Sequence, residues 1–183
     1  MKAGKIVLVL GMGLFCTLAA INNSLTIHGT FNAVKSAVDM QGTFKVPALM
    51  WRAFENPLYI WMAAIGIIAC EAVAGVICLW GAARMWAARS SAAAFNDAKS
   101  TAILGLSIAA ALYLVGFQAI AGEWFMLWQN RESHTLDEAF RDFGLTLLMW
   151  IMFAIMLETE FELFFGRYLE QLGWGDFQTD ANW

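Results

Sequence analysis

The sequence predicts an all-α, polytopic membrane protein with four transmembrane helices, and two observations support this fold class. Hydrophobic residues fill 60% of the 183 positions and charged residues only 14%, whereas soluble domains have roughly 45–50% apolar and about 25% charged residues. The apolar residues also form four long runs with most of the charges between them, which is typical of membrane spans joined by polar connections. We therefore expect a single membrane domain over residues 1–183.

The first predicted span covers residues 5–23. Because a basic opening, MKAGK, precedes this apolar run, a cleaved signal peptide is the alternative interpretation; we expect a retained span. The second predicted span covers residues 58–82 and follows Asn56 and Pro57. Proline suits the first turn of a helix, because its missing amide hydrogen would have no partner there.

The third predicted span covers residues 101–121 and the fourth covers residues 143–165. Thr135 and Glu138 have the spacing of a capping box, in which a hydroxyl and a carboxylate satisfy free backbone donors at the start of a helix. The fourth helix is therefore expected to begin before its apolar part. Each span has about the twenty residues that are needed to cross a hydrocarbon core of roughly 30 Å.

Basic residues predict the orientation of the chain in the membrane. Lys2 and Lys5 precede the first span, and the loop between the second and third spans carries Arg84, Arg89 and Lys99. Lysine and arginine favour the cytoplasmic side of short loops. We therefore expect a bacterial inner-membrane protein with both termini in the cytoplasm.

Two outer loops follow from this topology, at residues 24–57 and 122–142. The first is too apolar for a solvated linker, and Phe31, Val34 and Val38 recur in it at helical spacing. Such a segment lies on a surface. We expect an interfacial or bundle-capping helix pair, and a lid over a ligand is the alternative.

The second outer loop is rich in aromatic residues. Trp124 and Trp128 would share one face of a helix, while Phe125 would turn away from it. The three residues therefore cannot all be buried at the same time within a bundle of four helices. They are candidates for a membrane anchor at the headgroup level or for a protein interface, and we expect the interface.

The same loop carries a resemblance to a known family. The stretch GEWFMLWQN at residues 122–130, followed by AFR at residues 139–141, resembles a bacterial family of predicted small integral membrane proteins that is described only as a domain of unknown function. NAV at residues 32–34 and MQGTF at residues 40–44 support the resemblance, with Gln41 where the family pattern has an aspartate. The resemblance covers nearly the whole chain and implies four spans, but it implies no activity.

Glu71 and Tyr113 form the candidate polar site within the membrane. Ionisable residues in the middle of a span are costly, face the bundle interior and often mark function. The small residues Ala64, Ala74 and Cys78 share the face of Glu71, which lets another helix approach closely there. Tyr113 in the third span has a depth comparable to that of Glu71, so we expect a hydrogen bond between them. We expect Glu71 to be a structural hydrogen-bonding acid; a group that handles protons or ions, or a contact for a partner subunit or lipid, is the alternative.

An acidic cluster, Glu158, Glu160 and Glu162, lies at the predicted inner end of the fourth span. We expect the basic side chains of the inner loop to neutralise it. A divalent-metal site would need further carboxylates or a histidine close by, whereas His28 and His134 both lie in outer loops. We therefore expect neither a metal nor a cofactor.

The composition also bears on the function class. A net charge of −4 without a basic stripe disfavours nucleic-acid binding. The sequence has no Ser/His/Asp set, no glycine-rich phosphate loop and no metalloprotease pattern, so we do not expect an enzyme. A quinone-linked thiol oxidoreductase is disfavoured because the three cysteines form no CxxC pair.

Two function classes remain. The sequence favours an accessory or scaffold subunit of a larger inner-membrane complex, such as one of the respiratory chain, whose partners are the lipid bilayer and other membrane subunits. Small residues at helix faces suit such packing. The alternative is a small transporter or channel that uses the intramembrane carboxylate Glu71.

Overall fold

The computed structural model describes residues 2–130 and 133–155, and this part of the chain is helical without strands. The all-α class is therefore confirmed. Five α-helices follow one another, with a π-helical segment that continues α4 without a break and short 3-10 turns at Met50–Arg52 and Leu127–Gln129. The helices are α1 (Lys2–Leu25), α2 (Ile27–Val38), α3 (Pro57–Ala87), α4 (Ala92–Ala111) with its π segment (Leu112–Trp124), and α5 (Thr135–Ile155).

Three helices in the described part of the chain are long and apolar enough to cross a membrane. They are Lys2–Leu25, Pro57–Ala87 and Ala92–Trp124, and each contains one of the first three predicted spans. The predicted fourth span, residues 143–165, begins within α5, but its second half lies outside the described residues. The count of four spans therefore stays a prediction. The acidic cluster Glu158, Glu160 and Glu162 lies outside the described residues as well.

Local sequence explains where the helices begin. Asn56 precedes α3 and its Oδ1 accepts a hydrogen bond from the backbone nitrogen of Leu58 at 3.0 Å, with Pro57 as the first helical residue. The helix α5 begins at Thr135, as predicted, but the predicted capping box is wrong. The amide of Glu138 donates to the carbonyl of His134, so it is not available to the hydroxyl of Thr135.

Small residues let the long helices pack closely. A Cβ atom on Gly75 of α3 would lie 2.5 Å from the hydroxyl of Thr17 in α1, and one on Gly105 of α4 would lie 2.6 Å from the sulfur of Cys78 in α3. Close backbone approach through small residues is the usual way for helices to associate in membranes, where lipid tails are as apolar as the side chains. It makes α3 the antiparallel neighbour of both α1 and α4.

The helix α2 packs on the part of α3 that extends past the end of α1. Phe31 of α2 stacks on Trp61 of α3 with ring centroids 4.6 Å apart, and His28 meets the same indole edge-on at 5.7 Å. The helical spacing in the first outer loop is therefore confirmed as α2. The prediction of a helix pair is wrong. Between α2 and α3 only the 3-10 turn Met50–Arg52 forms, and there is no second α-helix in this loop. We call the end of the bundle that carries α2 the outer end.

Candidate functional site

Glu71 faces the interior of the bundle, as its small-residue surroundings predict. It is 5% exposed, and Ala64, Ala74 and Cys78 on the same face of α3 are fully buried. The amide nitrogen Nδ2 of Asn23 donates to both carboxyl oxygens, at 3.1 and 2.8 Å. The predicted bond from Tyr113 is therefore wrong: among the described residues, the hydrogen-bond partner of Glu71 comes from α1.

A cavity of about 560 Å³ lies beside Glu71 at the outer end. Its walls come from α1, α2, α3, the π segment and α5, so every helix except the α-helical part of α4 contributes to it. Three carboxyl groups line it, those of Glu71, Glu138 and Asp142. None of the described lining residues is a lysine, an arginine or a histidine. The cavity is thus acidic, with walls of small, aliphatic and aromatic side chains.

Tyr113 lines the same cavity and is 5% exposed. Its hydroxyl forms no hydrogen bond within the described part of the chain, although Glu71 and Asp142 line the same cavity. Its ring lies 6.1 Å from the ring of Phe117. The structure therefore brings the two predicted site residues to one cavity without joining them directly. A buried phenol normally has a partner, so this hydroxyl is free to bond a group that enters the cavity.

The π segment supplies one wall of the cavity. Five of its residues line the space: Tyr113, Gly116, Phe117, Ile120 and Ala121. Long π-helices are rare, and π turns within α-helices are frequently found at functional sites. The side-chain amide of Gln118 donates to the carbonyl of Leu136 in α5 at 3.1 Å, which ties the segment to α5. Nothing in the periodicity of the sequence predicts this change of helix type.

The other two carboxyl groups come from α5. Glu138 is exposed at its outer turn, and Asp142 lies one turn further along and is partly buried. Arg141 approaches Asp142 only loosely, with 3.9 Å between Nε and Oδ1, and its side chain is 67% exposed. An ion pair so open to solvent has little strength. Arg141 is therefore only a weak counter-charge for Asp142, and it does not line the cavity.

The helix α2 forms the roof of the cavity. Thr30, Val34 and Val38 line it from above, and Thr26 and Gly29 line its edge. The hydroxyl of Thr30 donates to the carbonyl of Asn23 at 3.1 Å, which joins the roof to the residue that holds Glu71. Both interpretations of the first outer loop, a capping helix and a lid, fit this position.

The aromatic residues of the second outer loop have different surroundings. Phe125 is buried, with its ring 5.5 Å from that of Phe54. Trp124 and Trp128 are 46% and 55% exposed. Not all three are buried, as expected, but whether the exposed pair anchors the protein in the membrane or meets a partner stays a prediction.

Each of the two exposed tryptophans meets another exposed aromatic ring. Trp124 meets Trp51 edge-on at 5.7 Å, and the guanidinium of Arg52 lies 4.6 Å above its ring. Trp128 meets Phe44 edge-on at 6.1 Å. We call Phe44, Trp51, Trp124 and Trp128 the outer aromatic patch.

Sequence reasoning missed three residues of the site. Asn23 was assigned to the polar end of the first span, and Asp142 directly precedes the predicted fourth span. Glu138 was considered only as part of a helix cap. The pairing of polar residues at the ends of apolar runs was the available signal, because such residues meet when antiparallel helices of unequal length pack together.

The sequence model of one protein family, described as a predicted small integral membrane protein, matches residues 1–156. No curated protein matches the chain. No solved structure matches it either.

Proposed function

This chain belongs to DUF2165, the family of predicted small integral membrane proteins, and we propose that it is a small transporter that takes up its substrate in the acidic cavity at the outer end. The observation that carries the proposal is Glu71, a buried carboxyl group in the middle of a membrane helix that also lines a cavity of about 560 Å³. Ionisable groups at such depth mark substrate, ion or proton pathways. Ligand sites in proteins typically have about 300–1,000 Å³.

Two further features support a site for a substrate. The cavity walls are mostly apolar with a few polar groups, which is the usual character of a small-molecule site. Its roof, α2, is a short helix that follows α1 after a single residue, Thr26. A separate short element over a cavity is suited to open and close it. On this proposal the chain is a carrier and has no catalytic step.

Exchange in proteoliposomes tests the proposal. Three compounds share a hexyl tail and differ in head charge: hexyltrimethylammonium, hexanesulfonate and hexyl glucoside. Vesicles with the purified protein are loaded with one unlabelled compound, and uptake of the same labelled compound is followed. We expect saturable exchange of at least one compound that is lost in Glu71→Gln and retained in Glu123→Gln, a change of an exposed carboxyl group outside the cavity. Rates equal to those of protein-free vesicles for all three would overturn the proposal.

The second candidate function is an accessory or scaffold subunit of a larger inner-membrane complex, such as one of the respiratory chain. The outer aromatic patch favours it, because exposed clusters of apolar residues mark interfaces with proteins or with the membrane. Purification of the tagged protein in mild detergent separates the two candidates. Other subunits in fixed stoichiometry support the accessory role, and a homo-oligomer alone speaks against it.

A further inference from the structure

We infer that the cavity binds an organic cation with an apolar body, such as an alkylammonium compound. The inference rests on the proposed function for the role of the cavity in transport, but it concerns only the chemical class of the ligand and its binding. Charge, wall chemistry and geometry each support it.

The charge of the cavity is the first support. Glu71, Glu138 and Asp142 face one space, and the described lining residues contribute no cationic side chain. Both oxygens of Glu71 accept hydrogen bonds from Asn23, which holds the carboxyl group in a fixed position at the cavity. A buried carboxylate needs a positive partner, because desolvation of an unpaired charge is costly. A cationic ligand supplies that partner, and an anionic ligand would meet repulsion from all three groups.

The walls are the second support. Phe15, Tyr113, Phe117 and Phe125 line the cavity together with small and aliphatic residues. A cation over an aromatic face gains attraction from the ring quadrupole, and this is how many proteins recognise quaternary ammonium groups. The unpartnered hydroxyl of Tyr113 adds a polar group that can accept from a protonated amine. The apolar part of the ligand would lie against the aliphatic walls.

The spacing of the carboxyl groups distinguishes an organic cation from a metal ion. Calcium and magnesium require about six or more oxygen ligands within roughly 2.6 Å. In residues 2–130 and 133–155, no three acidic, cysteine or histidine side chains converge closely enough to hold a metal ion. Carboxyl groups spread around a space of about 560 Å³ instead suit a larger cation whose charge they surround at a distance.

Equilibrium binding tests the inference. The purified full-length chain in lipid nanodiscs is titrated calorimetrically with hexyltrimethylammonium and, separately, with hexanesulfonate, and nanodiscs without protein provide the background. We expect saturable binding of the ammonium compound and affinity for the sulfonate at least about tenfold lower, since like charges oppose its entry. If the wild-type protein binds both compounds equally, or binds the sulfonate more tightly, that result refutes the inference without any variant.

Variants then locate the site. Glu71→Gln is expected to weaken binding of the ammonium compound by about tenfold or more, because a charge partner is removed. Should that variant fail to fold, Glu138→Gln and Asp142→Asn, at the more open wall, test the same point with smaller losses. Glu123→Gln is the matched control, since this exposed carboxyl group lies outside the cavity. Equal affinity in the control and in all folded cavity variants would place the cation elsewhere and overturn the inference.

The same cationic chemistry has two sources, a free organic cation or the amine headgroup of a lipid. Two nanodiscs with the same fraction of phosphatidylglycerol, and hence the same surface charge, separate them: the first has phosphatidylethanolamine as its other lipid and the second has an uncharged galactolipid without an amine. Weaker binding of hexyltrimethylammonium in the first assigns the site to the lipid amine, and equal binding assigns it to a free cation. The exchange assay tests the proposed function separately. Exchange of only the sulfonate or the glucoside would refute the inference about the ligand but would still support transport. Binding of the ammonium compound without exchange would refute transport but not the inference.

Discussion

Asn23 and Glu71 connect the end of α1 to the middle of α3 through one amide group that donates to both carboxyl oxygens, at 3.1 and 2.8 Å. Both residues also line the cavity at the outer end. The bond therefore fixes the position of the carboxyl group as well as the packing of two helices. Removal of this bond measures directly how much a polar contact at this depth contributes to the stability of the fold.

Asn23→Ala is expected to lower the free energy of unfolding by about 1–3 kcal/mol, because the buried carboxyl group loses its partner. Ser24→Ala is the matched control, since the hydroxyl of Ser24 bonds only to the carbonyl of Ala20 within its own helix. Thermal unfolding in detergent measures both variants. An unfolding midpoint for Asn23→Ala as high as that of Ser24→Ala would show that the bond contributes nothing to stability.

Gly81→Ala is expected to destabilise the bundle. Its new Cβ would lie 2.8 Å from the backbone nitrogen and Cα of Ala102, so α3 and α4 would have to move apart. Gly66→Ala, on the same helix, places its Cβ in open space and provides the control. We expect a lower thermal midpoint for the first variant and an unchanged or slightly higher one for the second. The reverse order would contradict the close packing of these helices.

The double variant Trp124→Ala, Trp128→Ala tests the outer aromatic patch. If the patch is a protein interface, the variant loses a complex that the wild type retains on a native gel, because buried tryptophans at interfaces contribute roughly 2 kcal/mol or more each. Trp124→Phe with Trp128→Phe is the comparison, since a membrane anchor tolerates another aromatic ring. Unchanged migration of the correctly inserted alanine variant would remove the support for the accessory-subunit candidate.

Reporter fusions test the topology and the fourth span together. With four spans, fusions after Lys5, Arg89 and Trp183 all report the cytoplasmic side, as the basic residues near the first two positions predict. With three spans, the fusion after Trp183 reports the periplasm while the other two remain cytoplasmic. A periplasmic signal after Arg89 would reverse the orientation and exchange the inner and outer ends.

Much of the bundle was predictable because long apolar runs leave few alternatives in a membrane. The face of α3 that carries Glu71 followed from the positions of Ala64, Ala74 and Cys78, and α2 followed from the spacing of Phe31, Val34 and Val38. The helix start at Pro57 followed from local chemistry. The start at Thr135 was predicted at the right residue, but from a capping box that does not form.

The partner of Glu71 was not predictable in the same way. Depth within a span placed Tyr113 level with Glu71, but which side chain points at the carboxyl group depends on the rotation of each helix, and the sequence left this rotation open. The π segment (Leu112–Trp124) changes that rotation again. The cavity could not be foreseen either, since it arises from five elements that pack incompletely.

The unequal lengths of the helices have a consequence for the bilayer. At 1.5 Å per residue, the 31 residues of α3 extend about 46 Å, whereas the hydrocarbon core is roughly 30 Å thick and the bilayer with its headgroups about 40–45 Å. We therefore expect the outer turns of α3 and the α2 roof at the level of the headgroups. A thicker membrane would then draw the roof toward the acyl chains and dry the cavity, and a thinner one would hydrate it. On this expectation, membrane thickness is a variable that changes access to Glu71.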